Sequence, residues 1–141
     1  MNQDELNLLL DHSLSWGCDE LEKNGFFNPY AITLQADGEL QRSGELTDEE
    51  KAKDPEELLK QIHAMLAAGC RQKLHKAVAV GVDVKVQRFK AEGFVKAIEV
   101  LIEHEDGNAF DCFLPYRKKE DGSIEYGAVF STPLKSEKFT T

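Results

Sequence analysis

Ile98-Glu99-Val100-Leu101-Ile102-Glu103-His104-Glu105-Asp106-Gly107-Asn108-Ala109-Phe110-Asp111-Cys112-Phe113-Leu114 is the stretch on which the fold turns. Ile98, Val100 and Ile102 alternate with Glu99, Leu101 and Glu103, and beyond Asp106-Gly107 the residues Phe110, Cys112 and Leu114 share one face. Period-2 alternation on both sides of an Asp-Gly pair predicts two antiparallel strands joined by a two-residue hairpin turn. Gly takes positive φ without steric cost there and Asp tolerates it.

Two further pairs, Asp37-Gly38 and Asp121-Gly122, punctuate the chain in the same way. The first joins the extended run that follows Pro29 to Glu39-Leu40-Gln41-Arg42-Ser43-Gly44, a short polar strand expected near a sheet edge. The other follows Arg117-Lys118-Lys119-Glu120, a charged arm that allows a longer loop. Val78, Val80, Val82, Val84 and Val86 alternate with Ala79, Gly81, Asp83, Lys85 and Gln87, another strand pattern. Ile124, Tyr126, Ala128 and Phe130 read as a last strand that Thr132-Pro133 ends, with a loose tail from about residue 133.

Two segments carry helical spacing instead. Leu6, Leu9, Leu10, Leu14, Cys18 and Leu21 recur between Asp4 and Lys23, and Asn24-Gly25 supplies a left-handed stop. Gly17 lies among these inward positions, where a small residue lets another element approach. Asp54-Pro55-Glu56-Glu57 combines a capping carboxylate with Pro at the first helical position, and Leu58, Leu59, Ile62, Met65, Leu66, Gly69, Cys70 and Leu74 follow on one face. Lys73, His75 and Lys76 are expected near the end of that helix, complementing its dipole. Residues 45–53 form a charged connection.

The predicted order is αββαβββ and the fold class α+β. Consecutive hairpins build an antiparallel sheet of five or six strands, and two main helices cover it as a two-layer sandwich. Profilin-like and roadblock-like folds share the order, an analogy that carries no function. At 141 residues the chain is expected to be one domain, 1–141. Its 41 % hydrophobic and 30 % charged residues are globular values that argue against wholesale disorder.

Charge narrows the partners. The formal net charge of −9 is uneven: residues 1–36 hold one Lys against six acidic residues, 37–59 three basic against nine, and 60–141 thirteen against eleven. An acidic half does not neutralise phosphates, so nucleic acid and anionic membrane are poor partners. No apolar run approaches the ~20 residues of a membrane span. With no secretory signal at Met1-Asn2-Gln3-Asp4-Glu5, a cytoplasmic location is expected.

Catalytic patterns are missing. The glycines fit neither a dinucleotide fingerprint nor a phosphate-binding loop. His12, His63, His75 and His104 show no metal-ligand spacing, and His104 is expected at a solvated strand end. Cys18, Cys70 and Cys112 form no C-x-x-C pair and read as small buried hydrophobes. Asp111 is expected to face outward with Phe113. No cofactor, metal or catalytic residue is assigned, and the reading leans away from an enzyme.

Phe113-Leu114-Pro115-Tyr116-Arg117-Lys118-Lys119 is the stretch best suited to contact. Pro115 lacks an amide donor and so points to a sheet margin, and Tyr and Arg are favoured interface anchors. Tyr116, Arg117, Lys118 and Lys119, with Phe27 and Tyr30 around Pro29, are the candidate interaction residues; a core role is the competing reading for the aromatic rings. Tyr30, Tyr116 and Tyr126 are candidates to line a pocket between helix and sheet.

Phe27-Asn28-Pro29-Tyr30-Ala31 after an N-terminal helix, together with Phe113-Leu114-Pro115-Tyr116-Arg117-Lys118 before a final strand, resembles small bacterial proteins of unassigned function. The resemblance implies a bacterial source and one compact domain, and transfers no catalytic residue. The expected function is a non-enzymatic protein-interaction domain, an adaptor or immunity-type partner that binds another protein or itself as a homodimer. The alternative is a small-molecule binder, or an enzyme, using a pocket between helix and sheet.

Overall fold

The computed structural model describes residues 2–25, 27–43, 54–85 and 93–134. Two helices and seven strands lie among them: α1 (Asn2–Asn24), β1 (Tyr30–Gln35), β2 (Leu40–Ser43), α2 (Pro55–Arg71), β3 (His75–Lys85), β4 (Lys96–His104), β5 (Ala109–Lys118), β6 (Ile124–Tyr126) and β7 (Phe130–Pro133). The strands form one antiparallel sheet in the order β2-β1-β3-β4-β5-β6, with β7 also paired to β5. The α+β class and the antiparallel sheet under two helices are as predicted. The predicted connection 45–53, together with Val86 and the tail beyond 134, lies outside the described residues.

All three Asp-Gly hairpins form, and they share one geometry that differs from the predicted two-residue turn. Gly38, Gly107 and Gly122 have φ of 90°, 95° and 89°. In each loop the Gly N–H donates to the carbonyl three residues back, at Gln35, His104 and Lys119, and that residue's own N–H closes onto Glu39, Asn108 or Ser123. These are three-residue loops with the glycine as the bulge residue. The Asp before it accepts the N–H two residues ahead: Asp37 from Glu39 at 3.0 Å, Asp106 from Asn108 and Asp121 from Ser123 both at 2.9 Å. The third turn is therefore no longer than the others. Its Asp121 carboxylate is held below the usual range by the Ser123 hydroxyl and amide.

The last predicted strand is split. β6 and β7 occupy one edge beside β5, separated by Gly127, Ala128 and Val129. Pro115 explains the break. The Gly127 N–H donates to the Pro115 carbonyl at 2.8 Å, and a residue in a strand directs its N and O to the same neighbour, so the missing donor of Pro115 faces the interruption. Pro115 thus lies one strand in from the margin, where the margin itself is broken; the expected five or six strands become seven because this edge is in two pieces.

The helices take opposite faces of the sheet. Leu6, Leu9 and Leu21 of α1 pack on Ile32 and Leu34, Ala77 and Ala79, and Ile98, Val100 and Ile102. Leu58, Ile62, Leu66 and Cys70 of α2 pack on Ala31, Val78 and Val80. These strand residues alternate, and alternate residues point to opposite sides. Over β1 and β3 the arrangement is therefore helix–sheet–helix, one layer more than predicted. Beneath α1, β3 presents only Ala77, Ala79 and Gly81, which lets helix and sheet approach closely.

α2 starts where predicted, with the Asp54 carboxylate accepting the Glu56 N–H at 3.3 Å. It ends earlier. Lys73 sits at φ 60°, its N–H donates to the Cys70 carbonyl, and the Leu74 N–H reaches back to Gly69. This is a Schellman stop, which turns the chain into β3, so His75 and Lys76 belong to a strand and Leu74 is exposed. A non-glycine residue in the left-handed region carries a steric cost. Lys73→Gly is expected to raise the free energy of unfolding by about 1 kcal/mol in urea titration, with no change in m. A loss of stability would show that the Lys73 side chain holds the turn.

Candidate functional site

Tyr116, Arg117, Lys118 and Lys119, singled out in the sequence, lie at one end of β4–β5–β6. Tyr116 is buried and donates its hydroxyl to the Asp83 carboxylate at 2.6 Å, which together with burial pushes the phenol up. Lys118 places its amine beside Gly25, past the C-terminal end of α1, where the helix dipole favours a cation. Arg117 points the other way, over the Phe94 ring at 5.0 Å and ion-paired with Glu125; Lys119 also reaches Glu125, at 3.7 Å. Arg117 and Lys119 are thus already engaged with Glu125. A hollow of about 250 Å³ lies between Val95, Lys96 and Tyr116.

Phe27 and Tyr30 are core side chains, 7 % and 1 % exposed. Tyr30 fills the space left by Gly81 and Gly17 and donates its hydroxyl to the Ser13 carbonyl. Tyr116 and Tyr126 are register partners across β5 and β6. The three tyrosines meet in one apolar cluster beneath α1, with Tyr126 half-buried at its margin, near Glu22 and Cys18.

The larger opening lies elsewhere. A cleft of about 400 Å³ runs between the outer side of α1 and the β1–β2 edge. Trp16, Ile32 and Leu40 contribute its apolar surface, with polar groups from His12, Asp19 and Arg42 around it. Trp16 leans on Tyr30 with ring centroids 4.3 Å apart, and the Arg42 guanidinium stands 5.8 Å above the indole. Leucine periodicity does not single out this site, because Trp16 stands at the margin of the leucine face of α1, almost in line with Leu9 seven residues back. The available signal was the stripe His12, Ser15, Trp16 and Asp19 at helical spacing, facing the polar strand β2.

No relative comes to light. No protein-family model matches this sequence, and no curated protein and no solved structure matches it.

A second unusual group lies on the far side of β4 and β5. Asp111 is expected from the sequence to face outward; it does share a side with Phe113, but it is only 8 % exposed and its Oδ1 has no hydrogen-bond partner among the described residues. Register places Leu101 and Thr132 directly across from it, and Glu99 and Glu103 at the two diagonal positions on β4. Burial, then a hydrogen bond and repulsion from Glu99, push the Asp111 carboxyl up to about 8. Beside it Phe113 and Phe130 stack with centroids 4.8 Å apart. α2 packs mainly on β1 and β3, and its apolar cluster reaches β4 at Leu101, directly across from Asp111.

His104 is also a correction. It is 3 % exposed, with Nε2 2.9 Å from the Glu5 carboxylate of α1 and Nδ1 accepting the Asp106 N–H at 3.1 Å. The Asp106 carboxylate also stands 3.2 Å from Nδ1. Lys76 joins Glu5 at 3.3 Å, and the His104 hydrogen bond leads the causes that hold the Glu5 carboxyl below its usual range. The cluster fastens the start of α1 to the β4–β5 turn. Among the described residues no group of three or more His, Cys, Asp or Glu side chains is arranged to hold a metal ion. Cys70 and Cys112 are buried and Cys18 half-buried, all as free thiols.

Proposed function

We propose that this protein is an interaction domain, of the adaptor or immunity type, that receives an extended segment of a partner protein along the β2 edge. The observation that carries the reading is the Trp16–Arg42 cleft opening at the outermost strand of the sheet. A strand edge offers unpaired backbone groups for augmentation, and an adjoining pocket gives it side-chain selectivity. Trp and Arg are the residues that most often dominate such contacts. The opposite edge is less suited, because the break at Gly127–Val129 and the charges of Lys119 and Glu125 discourage pairing. Three free thiols accord with a reducing, cytoplasmic setting. No helix among the described residues is long and apolar enough to cross a membrane.

Light scattering coupled to size exclusion, followed by pull-down from native lysate, tests the proposal. Wild type is expected to self-associate or retain a partner, and Trp16→Ala with Arg42→Ala to lose at least tenfold in retention, about the effect of one interface anchor. A strict monomer that retains nothing, or retention unchanged in the variant, would overturn it. The cleft volume also falls in the range of small-ligand pockets, about 300–1,000 Å³, which favours a small amphipathic molecule as the second reading. Trp16 is the only tryptophan, so its fluorescence reports the cleft alone.

A further inference from the structure

We infer that the Asp111–Glu99 pair, with the Phe113–Phe130 stack beside it, is a receptor for a single organic cation, an ammonium or guanidinium group. The inference is independent of the Trp16 cleft, which opens on the other face.

A buried carboxyl oxygen without a partner is a standing cost to the fold, about 1–3 kcal/mol for a polar group left unsatisfied. Asp111 carries it inside an otherwise apolar strand segment, Phe110 to Leu114, 92 % removed from solvent. Two carboxyls at diagonal positions on one face repel each other when both ionise. A cation placed between them removes both penalties, donating to the orphaned oxygen and neutralising the pair.

The neighbours favour an organic cation over a metal ion. Glu99 lies directly across from Phe113, and Phe113 directly across from Phe130, so an aromatic row runs alongside the carboxyls. Ring faces attract ammonium and guanidinium groups but supply no ligand atoms to a hard metal. Among the described residues, the charged groups that register places toward Asp111 are Glu99 and Glu103 of β4, of which Glu103 has a partner of its own; β7 offers the uncharged Thr132, and α2 approaches through apolar side chains at Leu101. Glu99 is partly exposed and gives the route of entry.

Because the carboxyl is neutral below about pH 8, a bound cation must displace its proton. The fraction ionised rises from roughly one tenth at pH 7 to roughly nine tenths at pH 9, so affinity should be about tenfold tighter at pH 9.

Titration of the isotopically labelled protein by NMR, with n-butylammonium chloride and methylguanidinium chloride against sodium chloride at equal ionic strength, tests this. A capped Gly-Lys-Gly peptide and its norleucine counterpart form a second arm. Saturable shifts at β4 and β5 amides, about tenfold tighter at pH 9 than at pH 7 and absent with sodium, are expected. They should vanish in Asp111→Asn and weaken in Glu99→Gln. Binding of the free amines identifies a small-molecule cation, and binding of the lysine peptide alone identifies a partner's basic side chain. Absence of saturation by every probe, or equal affinity at both pH values, or full binding by the folded Asp111→Asn variant, would overturn the assignment.

Discussion

Asp111→Asn is expected to stabilise the protein, and to do so increasingly as pH rises. The Asp111 carboxyl stands at about 8 in the folded state against an ordinary value of 3.8. A folded value raised above the unfolded one contributes stability that is fully present below the unfolded value and lost as pH climbs through the folded one. Wild-type stability should therefore decline from about pH 4 towards pH 8. Four units at about 1.4 kcal/mol each bound the total at about 6 kcal/mol, and Glu99 shares the interaction. About 2–3 kcal/mol of relief in the variant at pH 8 is the expected result. Glu5 and His75, both shifted downwards, change stability with the opposite sign at lower pH. The difference between variant and wild type cancels them. Urea unfolding at pH 5, 7 and 8.5 reads the outcome; a difference that does not grow with pH would show that Asp111 is ionised in the native state.

Tyr30 and Gly81 should show the strongest coupling in the molecule. They are register partners on β1 and β3, and the tyrosine ring lies where a side chain at position 81 would stand. Trp16 and Phe27 flank that ring at centroid distances of 4.3 and 5.6 Å, leaving it no room to yield. Gly81→Ala is expected to cost about 3 kcal/mol as an overpacked site. Tyr30→Ala should cost about 4 kcal/mol through lost burial and the cavity left behind. In the double variant the alanine methyl occupies part of that cavity, so the total should fall short of the sum by about 2 kcal/mol or more. Additive losses in a double-mutant cycle would show that the ring shifts freely away from β3.

The hairpins were legible because their information is local. An Asp that catches the amide two residues ahead and a Gly at positive φ specify a turn within five residues, so three Asp-Gly pairs produced three turns. Loop length is not legible in the same way, because the pair supplies only two of the three loop residues; Ala36, Glu105 and Glu120 complete them. The α2 start was legible for the same reason, while its end depended on a Schellman stop built on a lysine, which carries no left-handed signal in sequence. The Trp16 cleft has no local sequence signature, because its walls on α1 and β2 are brought together only by the sheet.

Strand and helix periodicity, capping and turn chemistry act over a few residues, and they alone were enough to establish the α+β class, the αββα opening and the antiparallel meander. Which face each helix covers, why the last strand breaks opposite Pro115, and how Asp111 comes to be buried are set by pairing between residues far apart in the chain. Alternation puts Asp111 and Phe113 on one side of β5. What lies on that side, and so whether a carboxyl there is solvated or held neutral, is a property of the neighbours that register selects, Glu99, Leu101 and Thr132, and no local pattern records it.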